Sequence, residues 1–357
     1  MKKLNVAVIG QGRSGRDIHG LYYIDPKNVY YNVKYVIEMD EVRGNEALTR
    51  YPGCEVLKSY QELFDKTDVD IVVNASYNYM HYPITKDLLM HKFNVLVEKP
   101  FSRNRYECED LIKTAEEQGV ILAVFQQSFY APYYLEAKKL IDSGKLGKIE
   151  HIEIRFNGFS RRWDWQTLLC KMGGNAYNTG PHPIGLAYGF LDFDEDSKVV
   201  YSTLQNTAHY SGDGEDYFKM ILTAPDKPIV DVEVSCQDAF CDYNIKVCGS
   251  LGTYKTSIDN YDLKYMKDPN APMPEVIFDT LRNENGMPMY CTETLEYVTE
   301  SGKHPGGPFD IGTPSFYEDL YYKLTENREM FVRPEHAKMV IGAIEELHAN
   351  NPLPLKY

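Results

Sequence analysis

The run Leu4-Asn5-Val6-Ala7-Val8-Ile9, followed at once by Gly10-Gln11-Gly12-Arg13-Ser14-Gly15, constrains this chain more than any other feature. A short apolar strand opening onto G-x-G-x-x-G and then a helix permits a tight turn and close helix–strand packing. It also lets the backbone approach a pyrophosphate, which the free N–H groups of the helix start can face. Gly10, Gln11, Gly12, Arg13, Ser14 and Gly15 are therefore cofactor-binding candidates; outside this setting the hexapeptide would be a plain glycine-rich turn. The next apolar run, Val33 to Ile37, ends in Glu38, roughly 20 residues beyond the last glycine. A carboxylate there accepts hydrogen bonds from an adenosine ribose diol and repels a 2′-phosphate, so NAD is the expected cofactor, although Arg43 lies close by.

Three more apolar runs, Ile71 to Val73, Asn94 to Val97 and Val120 to Phe125, are continuous rather than alternating, as buried parallel strands are. Helical patterns separate them. Ser59-Tyr60-Gln61-Glu62 reads as a capping box, and Cys108, Leu111, Ile112 and Ala115 form a stripe that stops at Gly119. The alternation predicts an α/β, doubly wound Rossmann domain over 1–125 that binds NAD.

After Phe125 the texture changes. A helix is expected from near Pro132 to Ser143-Gly144, then strands at Ile149 to Phe156, Lys198 to Gln205, Tyr217 to Leu222, Ile229 to Val234 and Tyr243 to Val247. Strands following one another without helices predict an α+β domain over 126–357 with a large, mainly antiparallel open sheet, serving substrate binding and oligomerisation. Asp268 to Pro308 reads as a long loop. Two closing helices are expected, one opened by a capping box at Ser315-Phe316-Tyr317-Glu318 and one after Pro334. At 357 residues two domains are what the length predicts.

The loop Asn78-Tyr79-Met80-His81, the segment Val95-Leu96-Val97-Glu98-Lys99-Pro100, the Leu146-Gly147-Lys148-Ile149 stretch and Gly173-Gly174-Asn175-Ala176-Tyr177-Asn178-Thr179-Gly180-Pro181-His182 stand in that order. Together they resemble the glucose-fructose oxidoreductase and inositol dehydrogenase family (Gfo/Idh/MocA). The resemblance implies that Lys99 lies beside the nicotinamide and substrate, and that His182 does proton chemistry. It further implies that Asn78, His81 and Glu98 belong to the cofactor site. The chain departs from the family at three places. Asn178 stands where the family carries an aspartate partner of the histidine and, being neutral, is a catalytic and substrate-site candidate that can only orient that ring through its amide; Tyr77 replaces a common proline, and Gln126-Gln127-Ser128-Phe129 replaces an arginine, which makes Gln127 a substrate-binding candidate. These departures leave the substrate open.

The chemistry makes sense of Lys99 and His182 independently. Oxidising an alcohol removes a hydride from carbon and a proton from oxygen, so a base and a cation beside the developing alkoxide are needed. Without their context, the two would read as a surface lysine and a structural histidine. The segment Arg161-Arg162-Trp163-Asp164-Trp165-Gln166 holds both tryptophans, and Arg162, Trp163 and Trp165 offer stacking and hydrogen bonding suited to a sugar ring. With 29 tyrosines in the chain, core or interface packing is the plainer reading of such aromatics. The other histidines, including His19 and His348, read as structural or surface residues.

Composition removes other classes. A net charge of −14 argues against nucleic acid and anionic membranes as partners. No apolar stretch approaches a bilayer span, and the first apolar run is too short for export, so a soluble cytoplasmic protein is expected. Seven scattered cysteines without a C-x-x-C pair indicate neither a disulfide framework nor a metal site. The leading expectation is an NAD-dependent oxidoreductase of a polyol, sugar or glycoside hydroxyl, forming a homo-oligomer (dimer or tetramer). Two alternatives stand beside it: a glycosidase that oxidises its sugar transiently and keeps its NAD, and a non-catalytic dinucleotide-binding sensor.

Overall fold

The computed structural model describes residues 2–357. Six strands, β1 (Leu4–Ile9), β2 (Tyr31–Ile37), β3 (Glu55–Leu57), β4 (Ile71–Asn74), β5 (Val95–Val97) and β6 (Leu122–Val124), pair in parallel in the order β3-β2-β1-β4-β5-β6. The order reverses between β1 and β4, and ligands of open α/β sheets bind in the crevice that such a reversal leaves at the strands' carboxyl ends. Lys99 follows β5, and Gln126 to Ser128 follow β6, at that same edge.

A wide helical turn, Arg13–His19, leads into α1 (Gly20–Ile24). The other helices of this half are α2 (Glu41–Arg50), α3 (His81–Met90) and α4 (Arg105–Gln118). Asn104 accepts the Glu107 N–H at the start of α4, and Gly119 closes it in the left-handed region at φ +67°. The Ser59–Glu62 capping box is present, at the head of a short 3₁₀ turn.

The second sheet has eight strands: β7 (Ile149–Arg155), β8 (Lys198–Gln205), β9 (Tyr217–Thr223), β10 (Ile229–Ser235), β11 (Ile245–Gly249), β12 (Gly252–Thr256), β13 (Asn260–Met266) and β14 (Tyr297–Lys303). Their order is β14-β13-β12-β11-β7-β10-β9-β8, antiparallel throughout except for the parallel β7–β10 pair. Alternation is plain in β9, where Phe218, Met220 and Leu222 are buried while Tyr217, Lys219 and Ile221 are only partly covered. The buried side packs on α5 (Pro132–Asp142) and α7 (Pro181–Phe190), which is preceded by the single turn α6 (Asn175–Asn178). The other side carries paired charges: Asp231 bridges Arg155 and Lys219, and Glu153 meets Lys246.

The chain ends in α8 (Thr313–Glu326) and α9 (Pro334–Asn350), and both turn back onto the first sheet. α9 packs against α4 and β6. From α8, Tyr317 enters a nest of Tyr22, Tyr23, Tyr31 and Phe125, stacking on Tyr22 at 4.3 Å while its carbonyl accepts the Tyr31 hydroxyl at 2.9 Å. Aromatic pairs of this kind add about 0.5–1.5 kcal/mol beyond their buried area.

Two expectations need correction, and three strands lie where none is expected. Asp268 to Pro308 is not one long loop, because Tyr297–Lys303 pairs with β13 as the edge strand β14. Ser315 does not cap α8: winding begins upstream, with Asp310 accepting the Gly307 N–H and Pro314 in the first helical turn. β3, β12 and β13 were not foreseen; β3 spans three residues, too few to show a period.

Candidate active site

The glycines of the first loop divide by what a Cβ would meet. At Gly10, with φ +88°, it would lie 2.7 Å from the Ala75 carbonyl oxygen, and at Gly15 it would strike the Gly10 carbonyl. At Gly12 it would meet nothing within 4 Å. Gly10 and Gly15 thus serve the chain's own packing, whereas Gly12 leaves a hollow for a ligand. Gly12 caps the Arg13–His19 turn without a side-chain bond, so first-turn N–H groups, including those of Arg13 and Ser14, remain for an anion. These features fit the pyrophosphate of a dinucleotide.

Glu38 is buried beside this loop. Its Oε2 accepts the Gln11 N–H at 2.9 Å, and its Oε1 accepts from the Asp40 N–H and from Arg43 at 2.9 and 3.0 Å. Burial pushes the carboxyl up, but the Asp40 and Gln11 amides and the Arg43 guanidinium outweigh it and hold Glu38 below its ordinary value. The acid at the end of β2 is therefore ionised and already bonded to the neighbouring basic residue.

Lys99 projects from the edge beyond β5, and its Nζ donates to the Asn178 carbonyl oxygen at 2.7 Å. Burial lowers the ammonium below the ordinary lysine value; Glu98 opposes this, and the charges of Arg13 and Arg162 add to it. His182, in the first turn of α7, is pushed down to about 3 by burial and then by the Lys99 charge. Its Nδ1 lies 2.7 Å from the Ser128 hydroxyl, and its Nε2 has no hydrogen-bond partner among the described residues. The imidazole is accordingly neutral, fixed at one nitrogen and free at the other.

Asn178 faces this pair through its backbone carbonyl. Its side-chain oxygen accepts from Gln166 at 3.2 Å, so the residue on the His182 ring is Ser128. Asn78 donates to the Met172 carbonyl at 2.9 Å, tying the loop after β4 to the second half, and His81 Nδ1 meets the Pro100 carbonyl at 2.7 Å just past Lys99. Gln127 is buried, with its side-chain oxygen lacking any partner, and Gln126 shares that state. Arg162 is bidentate to Asp164 at 2.9 and 3.0 Å; Trp165 meets Tyr77 edge-on at 5.0 Å. Trp163 stands away from these, 79% exposed.

Sequence reasoning missed Ser128 and Glu98's buried neighbour His19, and it named Trp165 without its aromatic partner Tyr77. Ser128 was visible only as part of a segment lacking the family's arginine. Its pairing with His182 spans 54 positions and has no local signature.

A parallel sheet with a ligand hollow at its glycine turn, and a lysine and a neutral histidine at the same edge, defines an NAD(P)-dependent oxidoreductase. Residues 4–126 match a family model described as an oxidoreductase family with an NAD-binding Rossmann fold, and residues 134–255 match the GFO/IDH/MocA C-terminal domain. The chain belongs to the Gfo/Idh/MocA oxidoreductase family. Among its relatives, an uncharacterized oxidoreductase of Schizosaccharomyces pombe is 26% identical over 263 residues, 71% of each chain. The 2,7-anhydro-N-acetylneuraminate hydratase of Escherichia coli is 23% identical over 256 residues, 71% of this chain and 67% of that one. The scyllo-inositol 2-dehydrogenase (NADP(+)) IolW of Bacillus subtilis is 26% identical over 183 residues, so the match spans 51% of this chain and 50% of that enzyme. Two solved structures share the fold: an NAD-binding protein from Listeria innocua (TM-score 0.79, 21% identity, 98% of each chain) and a gentamicin A biosynthesis protein in complex with NAD (TM-score 0.74, 22% identity, 98% of this chain and 94% of that one). No helix among the described residues is long and apolar enough to cross a membrane.

Proposed function

We propose that this protein is an NAD-dependent dehydrogenase or reductase of a hydroxyl on a polyol, sugar or glycoside. The observation that carries the reading is a neutral histidine, free at Nε2, together with a half-buried lysine that bears on its titration, at the edge of the sheet where the glycine turn opens. NAD, when bound, supplies the hydride acceptor or donor. Gly10 to Gly15 and Glu38 would hold it, with Asn78, His81 and Glu98 bracing the nicotinamide end.

In the oxidising direction the Ser128 oxygen accepts the Nδ1 proton of His182, which leaves the Nε2 lone pair to take the substrate's hydroxyl proton. Lys99 donates to the same oxygen and favours its alkoxide form. In the reducing direction His182 returns the proton. Arg162, Trp165, Gln127 and the Asn178 carbonyl border the place where a ring substrate would lie, and Trp163 does not. Membership of a family of small-molecule oxidoreductases and the strongly acidic composition fit a small, soluble substrate, a cytoplasmic setting and a homo-oligomer.

A second reading is favoured by one observation, the hydratase among the relatives. Adding or removing water leaves NAD unchanged overall, so the same residues could oxidise transiently and re-reduce within one turnover. A screen of polyols, sugars and glycosides following NADH absorbance tests the first reading, with Lys99→Ala as control. That variant should fold, bind NAD and lose about 10²- to 10³-fold in rate. More than roughly a tenth of normal activity in it refutes the role of Lys99. Substrate conversion without NADH accumulation points to the second reading.

A further inference from the structure

Glu98 is enclosed, and its two oxygens are used differently. Oε2 accepts the backbone N–H of Lys99 at 3.0 Å, and Oε1 lies 3.0 Å from Nε2 of His19. His19 is fully buried. Its Nδ1 is 2.7 Å from the Tyr317 hydroxyl, whose oxygen in turn accepts from the Tyr23 hydroxyl at 2.7 Å.

Counting protons fixes the direction of this line. Tyr23 spends its proton on Tyr317, and Tyr317 has one proton left, with Nδ1 beside it as acceptor. The ring's own N–H then sits on Nε2, facing Glu98. That nitrogen and Oε1 do not align as a linear hydrogen bond, so the contact acts as a dipole against a charge. The Tyr23 hydroxyl, the Tyr317 hydroxyl and the His19 ring N–H therefore all run toward one carboxylate.

Apolar side chains of similar shape would fill this space without burying an acid, and such replacements are often neutral or stabilising. What a carboxylate adds here is negative charge next to Lys99. Lys99 is faced by Glu98, Arg13 and Arg162, with His182 also within its field. Among those groups Glu98 is the single acid. Burial raises the Glu98 carboxyl, and His19, followed by the Lys99 and His81 charges, brings it below its ordinary value.

We propose that His19, Tyr317 and Tyr23 are positioning residues: two hydrogen bonds running one way fix the His19 ring so that its N–H dipole faces Glu98, which keeps Glu98 a carboxylate and thereby keeps Lys99 an ammonium aimed at the substrate oxygen. The inference rests on the reading of Lys99 as the cation of the site. It assigns to the second-half helix α8 a part in tuning a residue on the first sheet.

Trace acetylation with acetic anhydride across pH, with the Lys99 peptide followed by mass spectrometry, reads the free-amine fraction of Lys99 without any substrate. Tyr317→Phe and His19→Leu should each shift the Lys99 curve downward by about 1 unit, on the order of tenfold more free amine at a given pH. His19→Gln, whose amide offers one acceptor and one donor, should restore most of the wild-type curve, and Glu98→Gln should give the full shift. Circular dichroism and melting show whether each variant is folded. Folded variants with an unchanged Lys99 curve overturn the proposal, even if they melt earlier. If His19→Leu fails to fold, Tyr317→Phe decides, because its ring fills the same space. Absence of NADH formation with every substrate would count against the proposed function and leave this result standing, since the labelling reads only the amine.

Discussion

The depressed proton affinity of His182 has a consequence for stability that can be measured before any substrate is found. A base whose folded pKa lies below its unfolded one lets the unfolded chain bind a proton that the folded chain refuses. The stability tied to neutral His182 is therefore complete above 6.5 and drains away as pH falls through 6.5 toward about 3. Each unit in that window is worth about 1.4 kcal/mol, so at about pH 5 the loss reaches about 2 kcal/mol. His182 is only partly covered, which makes that figure a ceiling. The assay is urea unfolding of wild type and His182→Asn at about pH 7.5 and about pH 5, compared as a difference of pH slopes so that titrations common to both proteins cancel. Wild type should lose more stability than the variant, by up to about 2 kcal/mol. Lys99→Met removes the second cause of the shift and should raise the His182 titration, read from its ring carbon resonances. Equal slopes for wild type and His182→Asn, or a ring that titrates near 6.5, would refute the reasoning.

Three further outcomes follow from the same geometry. Gly12→Ala should melt like wild type but bind NAD weakly, whereas Gly15→Ala should lose stability, because only the second Cβ meets the protein; calorimetric melting and NAD titration separate the two effects. Ser128→Ala should cut kcat by about fivefold with little change in KM, since a hydrogen bond is worth about 1 kcal/mol, and Ser128→Thr should recover most of it; an unchanged rate means that Ser128 does not orient His182. Wild type should prefer NAD to NADP, and Glu38→Ala should both weaken NAD and free Arg43 for a 2′-phosphate, so a variant still excluding NADP by the wild-type ratio of kcat/KM contradicts the role given to Glu38.

The parallel sheet was legible because its strands are buried on both faces and read as unbroken apolar runs such as Ile71 to Val73. The glycine turn was legible for a local reason too: strand, turn and helix start are adjacent in sequence. β14 escaped because an edge strand pairs on one side only, and its residues alternate between exposed and half-covered with no buried member. At the site, Lys99 and His182 could be singled out by motif, yet their partners could not. The Asn178 position predicted an amide acting on the imidazole, while the fold turns that amide toward Gln166 and brings Ser128 to the ring instead. Which atoms of a residue face the site depends on backbone direction in the 173–182 segment, and residue identity does not encode it. The line from Glu98 to Tyr23 was invisible for the same reason, since it joins residues from both ends of the chain.

The tyrosine nest on the first sheet also sets a timetable for synthesis. Tyr31 and its partner Tyr317 are 286 positions apart, so at about 5–20 residues per second the amino-terminal half waits roughly 15 to 60 s for the helix that completes it. During that interval Tyr22, Tyr23 and Tyr31 are without their cover on the ribosome, a bare aromatic surface of the kind chaperones bind. A truncation ending before α8 would make that interval permanent.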